Sequence, residues 1–106
     1  MKSFTVIYKI LKLLEVNMGR EDFDYELISA KAMKIPYEQW EQLLIMMQHE
    51  GYIDGIVYAR TVEDKFDHIA QPIRPVITLK GMEYLESNSF MAKAKETLKM
   101  IGDIIP

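Results

Sequence analysis

The chain has 106 residues, of which 49% are hydrophobic and 27% charged, with no cysteine and a formal net charge of -3. That length suits one domain, and this balance of apolar to charged residues excludes an intrinsically disordered chain. The lack of cysteine excludes a disulfide framework, a thiolate nucleophile and a thiolate metal site, and the acidic balance leaves only local basic patches to attract nucleic acid.

From Ser3 to Met18, the residues Phe4, Ile7, Leu11, Leu14 and Met18 recur at the three-and-four spacing of one helix face. Val6, Ile10 and Leu13 form a second row beside them, which predicts a helix packed against two neighbours. Lys9, Lys12 and Glu15 interrupt the apolar run, so neither a signal peptide nor a membrane span is expected, and the cytoplasm is the expected compartment. Gly19 suits the stop of this helix.

Asp24 can cap a short second helix by accepting the amides of Glu26 and Leu27, with Leu27, Ile28 and Met33 turned inward. Pro36 is favourable at the first position of a third helix, predicted over Tyr37 to Glu50 and stopped by Gly51. Tyr52 to Arg60 and Ile73 to Ile77 carry β-branched and aromatic residues and read as two strands joined by a long loop from Thr61 to Pro72. Thr78 can cap a fourth helix through Leu79, Met82 and Leu85, while Gly81 lets that helix approach the strands. After Ser87-Asn88-Ser89 a last helix carries the stripe Met91, Ala94, Leu98, Ile101 and Ile105.

This order predicts an α+β fold, a winged helix-turn-helix with a three-helix core, a two-stranded wing and additional C-terminal helices. Residues 1–88 form the winged-helix domain, and residues 89–106 form a helix that packs on it or pairs with its copy in a homodimer.

Three local strings, Ile28-Ser29-Ala30, His49-Glu50-Gly51-Tyr52-Ile53 and the run from Ile77 to Ser89, resemble the YjcQ-like family of small winged-helix proteins of bacteria and prophages. The run Ile77-Thr78-Leu79-Lys80-Gly81-Met82 is the most specific part, and the resemblance extends to the Asp103-Ile104-Ile105-Pro106 ending. Pro36 departs from the family pattern, where relatives use a hydroxyl-bearing cap. The resemblance implies the fold and carries over no activity and no site residue.

By analogy of fold, the expected function is a winged-helix binding module of the DNA-binding transcription-regulator type; such regulators commonly seat the third helix in the major groove and neutralise phosphates with Lys and Arg. Between Pro36 and Gly51 there is neither, and Glu38, Glu41 and Glu50 are acidic. Helical spacing puts Trp40, Leu43, Leu44 and Met47 on one face and Glu38, Gln42, Ile45, Met46 and His49 on the other. Double-stranded DNA therefore depends on Lys31, Lys34, Arg60, Arg74 and Lys80 flanking the duplex, with Gln39, Gln42 and Gln48 available to bases. The competing reading of those five cations is scattered solubilising charge. A second functional class is an adaptor that captures a protein partner through Glu38, Glu41, Gln42, Ile45 and Met46, because desolvating apolar side chains favours a protein over a hydrated groove; the competing reading is that the C-terminal helix or the wing loop covers Ile45, Met46 or both.

Asp64, Asp67 and His68 lie close in sequence and could suggest a metal, but solvated loop charge explains them better. Ser29 and Ser87 have no His and acid arranged around them, and no glycine-rich phosphate loop occurs. No enzyme activity, catalytic residue, metal or cofactor is expected.

Overall fold

The computed structural model describes residues 2–89. The first helix, α1, spans Lys2–Val16, and a 3-10 turn, η1, spans Tyr25–Ile28. Two further helices follow, α2 over Ala30–Met33 and α3 over Tyr37–His49. Four two-residue strands come next, β1 (Ile53–Asp54), β2 (Tyr58–Ala59), β3 (His68–Ile69) and β4 (Val76–Ile77), before α4 (Leu79–Ser87). This α+β arrangement is compatible with the expected winged helix-turn-helix. No helix among the described residues is long and apolar enough to cross a membrane. The expected C-terminal helix over 89–106, with its stripe from Met91 to Ile105 and its proposed homodimer, lies outside the described residues.

Helix α1 buries the row that the sequence placed second. Val6, Ile10 and Leu13 are at most 1% exposed, whereas Phe4 and Met18 of the first row are 48% and 58% exposed. Leu11 and Leu14 of the first row are also buried, so the inward face takes the whole second row and only the middle of the first. The helix packs on α3, α4, η1 and β4. Ile28, Met33, Leu44, Met47 and Ile53 close the core from the opposite side. Each such side chain contributes about 1.5–3 kcal/mol relative to an exposed one.

The expected second helix is two pieces. Asp24 Oδ1 accepts from Glu26 N at 3.0 Å, but the Leu27 amide goes to the Asp24 carbonyl instead. Ser29 closes η1 and simultaneously caps α2, its hydroxyl accepting from Ala32 N at 3.1 Å. Ile28 and Met33 are buried as expected, while Leu27 is only half-buried. Pro36 stands at the N-cap of α3 rather than at its first position, and its ring offers no side-chain cap. Trp40 holds the two segments together by donating from Nε1 to the Ile28 carbonyl at 2.8 Å.

At the other end of α3, Gly51 has φ +87°, the left-handed conformation that lets the chain reverse at low steric cost. Gly51 N donates to Gln48 O and Tyr52 N to Met47 O, both at 2.9 Å, the paired bonds of a Schellman stop.

The expected two-stranded wing is a longer, folded hairpin. β1 pairs with β4 in the register Ile53 with Ile77, and β2 pairs with β3 in the register Tyr58 with Ile69, both antiparallel. The inner ladder is thus nested inside the outer one, and the expected loop from Thr61 to Pro72 contains β3. The first expected strand breaks at Gly55 to Val57, where Ile56 turns inward at 5% exposure.

Thr78 joins this hairpin to α4. Its hydroxyl donates to the Gly51 carbonyl and accepts from Gly81 N, and its amide donates to Tyr52 O at 3.2 Å. A Cβ on Gly81 would lie 2.3 Å from Tyr52 O and 2.8 Å from Ile77 Cγ1. Gly81→Ala is therefore expected to destabilise the fold by about 1–3 kcal/mol, the overpacking cost exceeding the helix-propensity gain of about 1 kcal/mol. Urea denaturation checks this, and an unchanged or raised midpoint would contradict the close approach.

Candidate functional site

Two regions position the residues singled out from the sequence. The first is the outer face of α3. Glu41, Ile45 and Gln48 stand at successive turns of the helix, on one stripe, and the hairpin covers that stripe. Ile45 is 8% exposed and Glu41 3%, so of the two readings of Ile45 the covered one holds, and Glu41 is not available as an interaction residue. The expected adaptor surface accordingly loses Glu41 and Ile45, and a glutamate at position 45 would test folding rather than binding.

The polar side chains on that face are occupied. Glu41 Oε2 accepts from Ile69 N at 2.8 Å, and Oε1 lies 3.0 Å from His68 Nδ1. Gln42 Nε2 donates to the Asp67 carbonyl at 2.9 Å. Gln48 meets the main chain of Ile56 twice, accepting from its amide at 2.7 Å and donating to its carbonyl at 2.8 Å. The third glutamine considered for base contacts, Gln39, donates to Ser3 Oγ at 3.1 Å. Of the expected interaction residues, Glu38 and Met46 face solvent, Met46 at 53% exposure, while Gln42 is half-buried. Such an apolar stripe with amide and carboxylate ends is readable as helix, but its direction is set by the strands it meets.

His68 is the link between this face and solvent, half-exposed while its carboxylate partner is buried. The Glu41 hydrogen bond raises its pKa against the opposing effect of desolvation, and the charges of Glu41, Asp64 and Asp67 add to the rise. Asp64 approaches Nε2 only to 3.9 Å, and its own pKa is lowered first by the Thr61 hydroxyl. Among the described residues no group of three His, Asp or Glu side chains could hold a metal ion.

The five candidate cations differ in their partners. Arg60 donates to Lys65 O at 3.2 Å and lies 3.9 Å from Asp67, and the Lys80 ammonium sits 5.7 Å over the Tyr52 ring. Lys31, Lys34 and Arg74 take part in no ion pair among the described residues. Lys34 caps α2 in the left-handed region at φ 60° and is exposed. Lys31 and Arg74 line the second region, a groove of about 650 Å³ between η1, α2 and the start of α3 on one side and the arm Gln71 to Arg74 on the other. Tyr25, Ile35, Tyr37, Trp40 and Ile73 give it an aromatic and aliphatic floor. This groove was not legible in the sequence, because its two walls are more than thirty residues apart.

The His68 contact gives a pH prediction. A raised folded pKa means that protonated His68 stabilises the fold fully below the unfolded imidazole value of about 6.5, and that this stabilisation is lost as pH rises through the higher folded value. The difference in urea midpoint between the wild type and His68→Gln is expected to shrink from about pH 5 to about pH 8. A difference that stays constant over that range would show that the contact carries no proton linkage.

Comparison with known proteins accords with the resemblance seen in the sequence. The family model described as YjcQ protein matches residues 8–104. A Bacillus subtilis (strain 168) protein described as Uncharacterized protein YjcQ is 31% identical over 78 residues, covering 74% of this chain and 78% of that protein. No solved structure matches the chain. With the family model spanning most of its length, the chain belongs to the YjcQ family.

Proposed function

We propose that the chain is a winged-helix interaction module that binds a protein partner, with η1-α2 and α3 as the helix-turn-helix and the nested hairpin as the wing. It is a binding module rather than an enzyme in this reading. One observation carries the choice of partner class: the hairpin closes the Glu41, Ile45 and Gln48 stripe of α3, and the strip of the helix left open carries Glu38 and Glu50 and no Lys or Arg. Ile45 and Glu41 are buried there, and the amides of Gln42 and Gln48 are already bonded to the hairpin backbone. A base edge could reach those groups only by displacing the hairpin. The residues of α3 left to solvent include Glu38 and Glu50, which repel phosphates.

A second reading, non-specific DNA contact, is favoured by Lys31, Lys34 and Arg74, the three candidate cations without an ion pair among the described residues. Fluorescence anisotropy with mixed-sequence duplex DNA separates the two. The protein-partner reading expects no binding at low salt, where electrostatic attraction is strongest. Binding whose log affinity falls linearly with log salt, and whose slope drops by about 1 for each phosphate contact removed in Lys31→Glu, Lys34→Glu or Arg74→Glu, would establish the DNA reading instead.

A further inference from the structure

The groove between the helix-turn-helix segment and the arm Gln71 to Arg74 has the size and lining of a binding site. Its volume of about 650 Å³ falls within the range of ordinary ligand sites. Trp40 is 4% exposed and its Nε1 donates to the Ile28 carbonyl, so the indole forms the closed back of the groove and brings no free donor to it. Tyr37 packs against it with ring centroids 5.4 Å apart and is 46% exposed, forming an open aromatic shelf.

Charge and backbone specify the occupant. Lys31 on α2 and Arg74 on the arm supply cations from the two walls, and Glu26 on the same lining places one carboxylate among them. A continuous polyanion such as a phosphodiester strand would meet that carboxylate, whereas a chain with spaced carboxylates can place them at the two cations. Among the described residues, Gln71, Ile73 and Arg74 make no main-chain hydrogen bond and belong to no strand. With no partner among the described residues, their backbone groups can pair with those of another chain, as an unpaired edge does when a peptide adds to it.

Resting on the interaction-module reading, we propose that this groove binds a short acidic peptide segment of a protein partner. One apolar or aromatic side chain of the segment seats on Tyr37 and Ile73, in front of the buried Trp40, and flanking carboxylates meet Lys31 and Arg74. The peptide backbone runs along the arm.

Trp40 is the one tryptophan of the chain, so its emission reports the groove directly. The full chain is panned against a random synthetic octapeptide library, and the enriched peptides are titrated while Trp40 emission is followed. The expected result is enrichment of acidic peptides carrying an apolar residue, saturable change in Trp40 emission, and about tenfold or greater weakening in Lys31→Glu/Arg74→Glu. The charge-preserving Lys31→Arg/Arg74→Lys variant keeps the binding, which separates charge loss from misfolding. Enrichment of neutral or basic peptides, or no enrichment, overturns the groove proposal. Acidic peptides that bind Lys31→Glu/Arg74→Glu as well as wild type but lose affinity on Met46→Glu also overturn it, and in that case the interaction-module reading survives on the open strip of α3. If no peptide is enriched and duplex DNA binds with a linear log-log salt dependence, both readings fall.

Discussion

The carboxylate of Glu41 dictates how the rest of the molecule is arranged around α3. At 3% exposure it has left water, which costs several kcal/mol unless hydrogen bonds replace the lost hydration. Two replacements come from β3, the Ile69 amide and the His68 ring, and the Tyr37 hydroxyl adds another from the same helix. The hairpin must therefore lie across the helix, and once it does, Ile45 is covered and Gln42 and Gln48 fall within reach of Asp67 and Ile56. The glutamines then satisfy backbone groups of a hairpin whose ladders are only two residues long and could not stand alone.

The same folding-over creates the groove. From β3, against the outer face of α3, the chain has to return to β4, which pairs with β1 and packs on α1. Its route passes beside η1 and α2, and the arm Gln71 to Arg74 forms one wall of the gap that results. One packing event thus covers the Glu41, Ile45 and Gln48 stripe of α3 and leaves a groove with an aromatic shelf and two cations on its other side. Function in this reading follows from where a buried carboxylate finds its partners, because the closed face and the open groove are two sides of one hairpin.

The junction at Thr78 anchors the opposite end. A single hydroxyl ties Gly51, the stop of α3, to Gly81, the first turn of α4, and the absent side chain at Gly81 lets α4 rest on the Tyr52 carbonyl. The hairpin is therefore held at its base by backbone contact and at its tip by Glu41. Between those points Ile53, Ile56, Ile69 and Ile77 supply the apolar side chains that make it part of the core.

Features with short-range causes were legible in the residues themselves. Asp24 at the start of η1, Gly51 at the end of α3, and Thr78 with Gly81 at the start of α4 all occupy the positions their chemistry suggests. Helical periodicity likewise identified α1, α3 and α4, since it requires only that apolar residues recur at the helical repeat. Periodicity says which residues share a face, however, and not what lies against it. It left the deeper row of α1 unranked, and it left open whether Ile45 met solvent or a covering element, because the polar neighbours Glu38, Gln42 and His49 shared its side. Burial of Glu41 ran against the usual placement of a carboxylate and depended on an amide twenty-eight positions away. The nested ladders and the groove depended on contacts of similar span. Local sequence determined the caps, stops and helices because their hydrogen bonds close within a few residues. Tertiary structure alone decided which face was covered and which was left open, because those choices rest on partners brought together only by the fold.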